Sequence, residues 1–244
     1  MPRLARIFRH PIKGIGSEPL ESAELTPAGA LTGDRAWALL NADAPQTDDW
    51  QPRRNFLVVA RGPALAAVTA TSVGQKIRLT HPDRPPLDFD PAAEADALRE
   101  WVAPLWPAGY PAPARLVRAP GHGMTDMPDA YVSIGSLASL RAFEAAAGQQ
   151  LDLRRFRINL WLEDLDPWEE TGWIGRQIMI GTTRLDVSEP IGRCRAPEAS
   201  PETGQRDVNT NRILTDIGKK TDFGVYARVV YGGTVATGDT AALL

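Results

Sequence analysis

The 244 residues carry 27 Lys and Arg against 30 Asp and Glu, and 43% of them are hydrophobic, proportions that suit a folded globular chain and exclude wholesale disorder. A net charge of −3 with no Lys/Arg block argues against a nucleic-acid partner, whose phosphates need a basic surface. A single cysteine, Cys194, excludes an internal disulfide and any four-cysteine zinc or iron–sulfur site.

Pro2-Arg3-Leu4-Ala5-Arg6 leads into no apolar stretch of signal-peptide length. Nothing approaches the roughly 20 apolar residues of a membrane span, so a cytoplasmic protein without a membrane partner is expected. Short strands divided by turn residues are predicted at Leu4–Phe8, Arg35–Leu40, Asn55–Val59, Ala64–Thr71 and Gln75–Thr80. Asn41–Gln51 reads as an exposed loop. Pro85-Pro86 and Asp90-Pro91 precede a helix over Ala93–Val102, and Pro104–Pro128 reads as a long connection containing the boundary between domains 1–119 and 120–244.

The second half opens with a strand at Ala130–Ile134 and a helix capped by Ser136 and stopped by Gly148, with Leu137, Leu140, Phe143 and Ala147 on one face. Phe156–Leu162 alternates with a period of two, predicting a half-buried strand with Arg157 and Asn159 together on its polar face. Strands at Gln177–Ile180 and Arg184–Val187 flank a Gly181-Thr182 hairpin turn. A helix over Thr210–Ile217 and strands at Gly224–Tyr231 and near Val235 close the chain. The fold class is α+β, strand-rich and barrel-like.

His10, His81 and His122 lie far apart without metal-ligand spacing and are expected in loops or on the surface. A free cysteine is most often a small buried residue. In Gly192-Arg193-Cys194-Arg195, however, two cations flank the thiol, and nearby positive charge favours the thiolate that ligates metal or attacks. Core filler and reactive thiolate both stand at this point. Taken singly, Arg6, Lys13, Arg35, Arg157 and Arg193 read as solvated charges; together they offer partners for an anionic ligand.

Several motifs, taken in order, carry a resemblance. Arg193-Cys194, Pro201-Glu202-Thr203-Gly204, Gly224-Val225-Tyr226-Ala227 and Gly232–Asp239 resemble the MOSC domain, named after the C-terminal part of molybdenum cofactor sulfurase. His10-Pro11-Ile12-Lys13-Gly14 and Gly33-Asp34-Arg35-Ala36-Trp37 resemble the family's smaller N-terminal β-barrel domain, and Arg155–Asn159 resembles the family's Phe-Arg-Pro-Asn strand. Relatives include the mitochondrial amidoxime-reducing component and its bacterial counterparts.

The resemblance implies a molybdenum cofactor (Mo-molybdopterin) with Cys194 as catalytic residue and metal ligand. Cofactor contacts are implied at Lys13, Gly14, Arg35, Thr125, Asp126, Arg157, Asn159, Ile191, Gly192, Arg193 and Tyr226. A phosphorylated pterin needs such cationic and N–H donors, and molybdenum accepts a soft thiolate readily. The implied activity is an oxidoreductase that reduces small N-hydroxylated compounds. One cysteine cannot hold an iron–sulfur cluster, so electrons are expected from a separate ferredoxin, flavodoxin or cytochrome-type protein. The alternative is a cofactor carrier or sulfur-transfer protein using Cys194 as persulfide or metal ligand; a degenerate fold with a merely buried cysteine is a third reading. Gly14 stands where the family often has Ser and Ile158 where it has Pro, while Trp168–Trp173 alters an acidic pair.

Overall fold

In the computed structural model, which describes residues 1–244, the longest apolar alternations build one eight-stranded sheet. Thr183–Gly192 alternates buried and more exposed side chains for most of its length, and pairs antiparallel with Gln177–Ile180 and with Asp222–Tyr231. Ile180 faces Thr183 across the two-residue Gly181-Thr182 turn, where Gly181 takes a φ of 55° that suits a residue without a Cβ. From Asp222–Tyr231 the sheet runs through Tyr131–Ser136, Leu160–Glu163 and Arg3–Arg9 to Glu18–Leu20, and Ala241–Leu243 forms the far edge. The one parallel strand pair, Tyr131–Ser136 with Leu160–Glu163, is bridged by the Leu137–Ala147 helix, the crossover that such pairing requires.

The sheet curls back on itself. Leu4 N–H donates to the Asp239 carbonyl and Gly238 N–H to the Leu4 carbonyl, each at 2.8 Å, giving a barrel-like closure around a core that includes Ile7, Ile134, Leu162, Val187 and Val225. The two halves of the chain interlock there: the first strand pairs with Leu160–Glu163, and Gly233–Ala236 pairs with Ser22–Thr26. A second core sits under the three-stranded sheet Thr69–Val73, Lys76–His81 and Arg84–Phe89, where Leu98 and Trp101 of the Ala95–Val102 helix meet Ile12, Leu57 and Leu79. A third packs Leu140 and Phe143 onto Phe156, Trp161 and Phe223. Ser136 Oγ accepts from the Ala138 and Ser139 N–H groups at the start of that helix, and Gly148 ends it at φ 68°.

Sixteen strands and three α-helices make the chain α+β and strand-rich. Several local expectations give way to tertiary structure. Phe156–Leu162 is a strand only from Leu160: Phe156 ends a 3-10 turn capped by the Asp152 carboxylate, and Arg157 turns the chain at φ 50°. The alternation is real but has no polar face, since Leu160 and Leu162 enter the barrel core while Trp161 enters the helix-side core and Asn159 is buried. Asn55–Val59 is not a strand, and the predicted strand Ala64–Thr71 is helical turn over its first residues. Arg53–Asn55 and Pro63–Ala67 are 3-10 turns, the second starting on a proline whose fixed φ suits a first turn, and the strand that follows begins at Thr69. Pro85-Pro86 lies inside the edge strand Arg84–Phe89, where a missing N–H leaves no ladder bond unmade. The long connection contains the strand Pro113–Arg118, paired with Trp37–Asn41. His10 and His81 are buried rather than on the surface.

Candidate active site

Where the two halves meet, a cleft of about 850 Å³, including its open mouth, is lined by 22 residues. All twelve residues implied by the resemblance lie on it: Lys13, Gly14, Arg35, Thr125, Asp126, Arg157, Asn159, Ile191, Gly192, Arg193, Cys194 and Tyr226; Arg6, also offered as an anion partner, is exposed elsewhere. They arrive from separate loops. Lys13 and Gly14 follow the first strand, and the Lys13 N–H is held by the Trp37 carbonyl at 2.8 Å. Gly14 at φ 73° presses so close to Leu57 and Val58 that a Cβ would lie 2.9 Å from Val58 Cα. A serine side chain would not fit here, so Gly14 is demanded by this chain's own packing.

The walls are cationic. Lys13, Arg35, Arg53, Arg155, Arg157 and Arg193 line the cleft against one lining carboxylate, Asp126. Lys13 Nζ donates to Asp126 Oδ1 at 2.6 Å, and Arg53 lies 3.7 Å from the other oxygen. Burial nonetheless pushes Lys13 down to about 8, Asp126 only partly opposing it. Burial favours a protonated Asp126, but Lys13 outweighs it and holds the carboxyl below the usual range. Arg35 pairs with Asp34 behind the wall and donates to the Arg157 carbonyl at 3.0 Å. Asp34 also accepts from the His10 backbone N–H at 2.7 Å, and its carboxylate lies 3.3 Å from His10 Nδ1. Burial, with Arg157 and Arg35 nearby, pushes His10 down to about 3, so it is neutral at pH 7. Arg155 is neutralised by a bidentate pair with Asp207, both bonds at 2.6 Å.

Arg157 and Arg193 have no such partner. Arg157 donates to the carbonyls of Gly16 at 2.9 Å and Ile12 at 3.3 Å; Arg193 donates to those of Phe223 at 2.9 Å and Phe156 at 2.8 Å. Neither reaches a carboxylate within 4 Å. Burial pushes Arg157 down to about 9, helped by Arg35, and Arg193 to about 10. Two partly buried cations without counter-charge are costly to the protein alone. They fit a cleft whose ligand brings the negative charge.

Cys194 stands at the mouth, half-buried, just after the Thr183–Gly192 strand, and its Sγ accepts from the Ala196 N–H at 3.5 Å. No three His, Cys, Asp or Glu side chains gather anywhere, so a metal at this site would have Cys194 as a protein ligand and need its other ligands from a cofactor. Asn159 lines the cleft but spends most of its amide internally, donating to the Phe8 carbonyl and accepting from the Ser133 N–H and Oγ. Tyr226 stacks on Tyr131 at 5.2 Å, and burial raises its hydroxyl pKa. Sequence reasoning missed Arg53, Tyr131, Ser133 and Arg155 among the lining residues. The Arg53-Arg54 pair after Pro52 was a visible signal; the alternating Tyr131–Ser136 strand gave no sign of which face meets the cleft.

A sequence model of the MOSC domain matches residues 121–242, and one of the MOSC N-terminal beta barrel domain matches residues 1–106. No curated protein matches the chain. Among solved structures, the YUAD protein from Bacillus subtilis is 11% identical over 99% of this chain and 94% of that chain, with a TM-score of 0.49. YiiM from Geobacillus stearothermophilus is 20% identical over 46% of this chain and 53% of that chain, with a TM-score of 0.35. YiiM from Escherichia coli is 17% identical over the same shares, 46% and 53%, with a TM-score of 0.36.

Proposed function

Because the chain belongs to the MOSC family, with the family's N-terminal β-barrel domain ahead of its MOSC domain, we propose that the cleft holds a molybdenum cofactor, with Cys194 as the protein's ligand to the metal. The observation that carries this reading is the pair of partly buried guanidiniums without a carboxylate partner, Arg157 and Arg193, in a cleft that ends at the chain's only thiol. A phosphorylated pterin supplies the missing negative charge at one end, and a soft metal suits the sulfur at the other. Lys13, Arg35 and Arg157 would hold the phosphate, with Gly14 offering its backbone N–H. Ile191, Gly192 and Arg193 would wrap the pterin beside Tyr226.

The reaction proposed is reduction of an N-hydroxylated compound. R–NH–OH takes up two electrons and two protons, the N–O bond breaks, and R–NH2 and water leave. Bound molybdenum would supply the two-electron chemistry that no side chain here possesses. The two electrons come from a separate electron-transfer protein. The chain's own part is to place the substrate against Cys194 and to keep the cofactor's anionic end fixed by groups already desolvated, so that little reorganisation is needed.

A second reading, cofactor carriage or sulfur transfer through a Cys194 persulfide, draws support from the half-exposed thiol at an open mouth. Protein made in a cofactor-producing host and given reduced viologen should reduce an N-hydroxylated base, and Cys194→Ser should abolish turnover. Bound metal without any turnover would transfer the assignment to carriage.

A further inference from the structure

Beside Cys194 the cleft opens into a second concavity lined by eight residues, four of them arginines: Arg53, Arg54, Arg61 and Arg195. No Asp or Glu is among the eight. Arg54 and Arg61 pair with no carboxylate. The Arg61 guanidinium is set in place by its bond to the Arg54 carbonyl at 2.8 Å and by the Tyr110 ring 5.6 Å away. Arg195 shares the Glu198 carboxylate with Arg206, and Arg206 ties the two sides of the mouth together through the carbonyls of Arg195 at 2.7 Å and Ala60 at 2.8 Å. The opposite flank is different: it holds Asp126 and Glu189 beside Tyr226, with Arg53, 3.7 Å from Asp126, as its one cation. Charge is therefore polarised across the mouth, with Cys194 on the basic side.

We propose that the compound brought to Cys194 is a small anion, an N-oxygenated molecule bearing a carboxylate or phosphate that the Arg54/Arg61 side of the mouth receives. This deepens the reading of Cys194 as the reacting end of the cleft and rests on it. Guanidinium forks match both oxyanions. The acidic flank a few residues away disfavours a broad acidic protein surface, which would face Asp126 and Glu189 as well as the arginines, whereas a small anion meets only the basic side. Arg53 belongs to both linings, but Arg54 and Arg61 line only the outer concavity, whereas Lys13, Arg35, Arg157 and Arg193 line the inner cleft that the cofactor occupies in the function proposed above.

The test uses full-length protein made without the cofactor, so that it stands apart from any result on molybdenum content. Alkylation rates of Cys194 by iodoacetate, an anion, and by neutral iodoacetamide are compared with those of 2-mercaptoethanol. The iodoacetate-to-iodoacetamide ratio should exceed that of the free thiol by about tenfold at low salt and fall towards it near 1 M salt, where the screening length is about 3 Å. Arg54→Gln and Arg61→Gln should each cut the iodoacetate rate about two- to threefold and leave the iodoacetamide rate alone. Competition by acetate or by inorganic phosphate, lost in the double variant, identifies which oxyanion the side prefers. A ratio equal to that of the free thiol, or one unchanged in the double variant, overturns the proposal. So does protection by polyglutamate where neither small anion protects, which would assign the arginines to an acidic protein.

Discussion

Arg157→Met separates a ligand-holding cation from a structural one. With burial and Arg35 pushing its pKa down to about 9, keeping Arg157 charged costs the folded protein about 5 kcal/mol relative to water. Methionine removes that cost but leaves the carbonyls of Gly16 and Ile12 without their donor, at about 1–3 kcal/mol each. The balance runs from about 1 kcal/mol of lost stability to about 3 kcal/mol gained, against the loss of about 3–5 kcal/mol typical of breaking a buried ion pair. Arg155→Met is the contrast, because it strands Asp207 and should destabilise. Urea unfolding of cofactor-free protein reads the stability, and calorimetric titration with pyrophosphate reads the site. Losing a charge-assisted contact should weaken pyrophosphate binding roughly tenfold to a hundredfold. A variant that loses more than about 3 kcal/mol of stability while binding pyrophosphate as tightly as before would refute the reasoning, for Arg157 would then be serving the fold alone.

Lys13, held at about 8 in the folded protein against 10.5 ordinarily, is charged below pH 8, so pyrophosphate affinity should fall as pH rises through about 8 and lose that dependence in Lys13→Met. Because the unfolded chain keeps this proton longer, Lys13 should make stability rise between pH 8 and 10.5, and urea midpoints across that window check the sign. Burial raises the pKa of Glu170, whose Oε1 has no partner while Oε2 accepts from Ser139 Oγ at 2.8 Å. Its stability cost grows as pH rises above the unfolded carboxyl value, so Glu170→Gln should stabilise at pH 7 by about 1 kcal/mol and have little effect at pH 4. Gly14→Ser should cost about 2 kcal/mol or more by thermal unfolding, since the new Cβ collides with Leu57 and Val58 at positive φ.

Much of the barrel was legible because its signals are local. Ser136 and Gly148 bound their helix, Gly181-Thr182 turns its hairpin, and Gln177–Ile180 pairs over the stretch its pattern predicted. Pattern reading faltered where burial comes from both sides. Trp161 and Asn159 looked like a solvent face, yet helix-side packing and the Ser133 bonds bury them. His10 is in a loop, as expected, but is buried, and only the distant Asp34 shows why it can be buried neutral. The candidate site was legible through family motifs scattered along the chain, and the cleft gathers every residue they named. What no motif disclosed is which cations lack partners. Arg155 and Arg157 are two residues apart, yet one is neutralised by Asp207 and the other ends on carbonyls.

Molybdenum content per chain, measured on protein from a host that makes the cofactor, tests the central claim most directly. The account predicts close to one metal per chain, most of it lost in Cys194→Ser. Freshly prepared protein without molybdenum, or a Cys194→Ser variant that keeps its full complement, would contradict it.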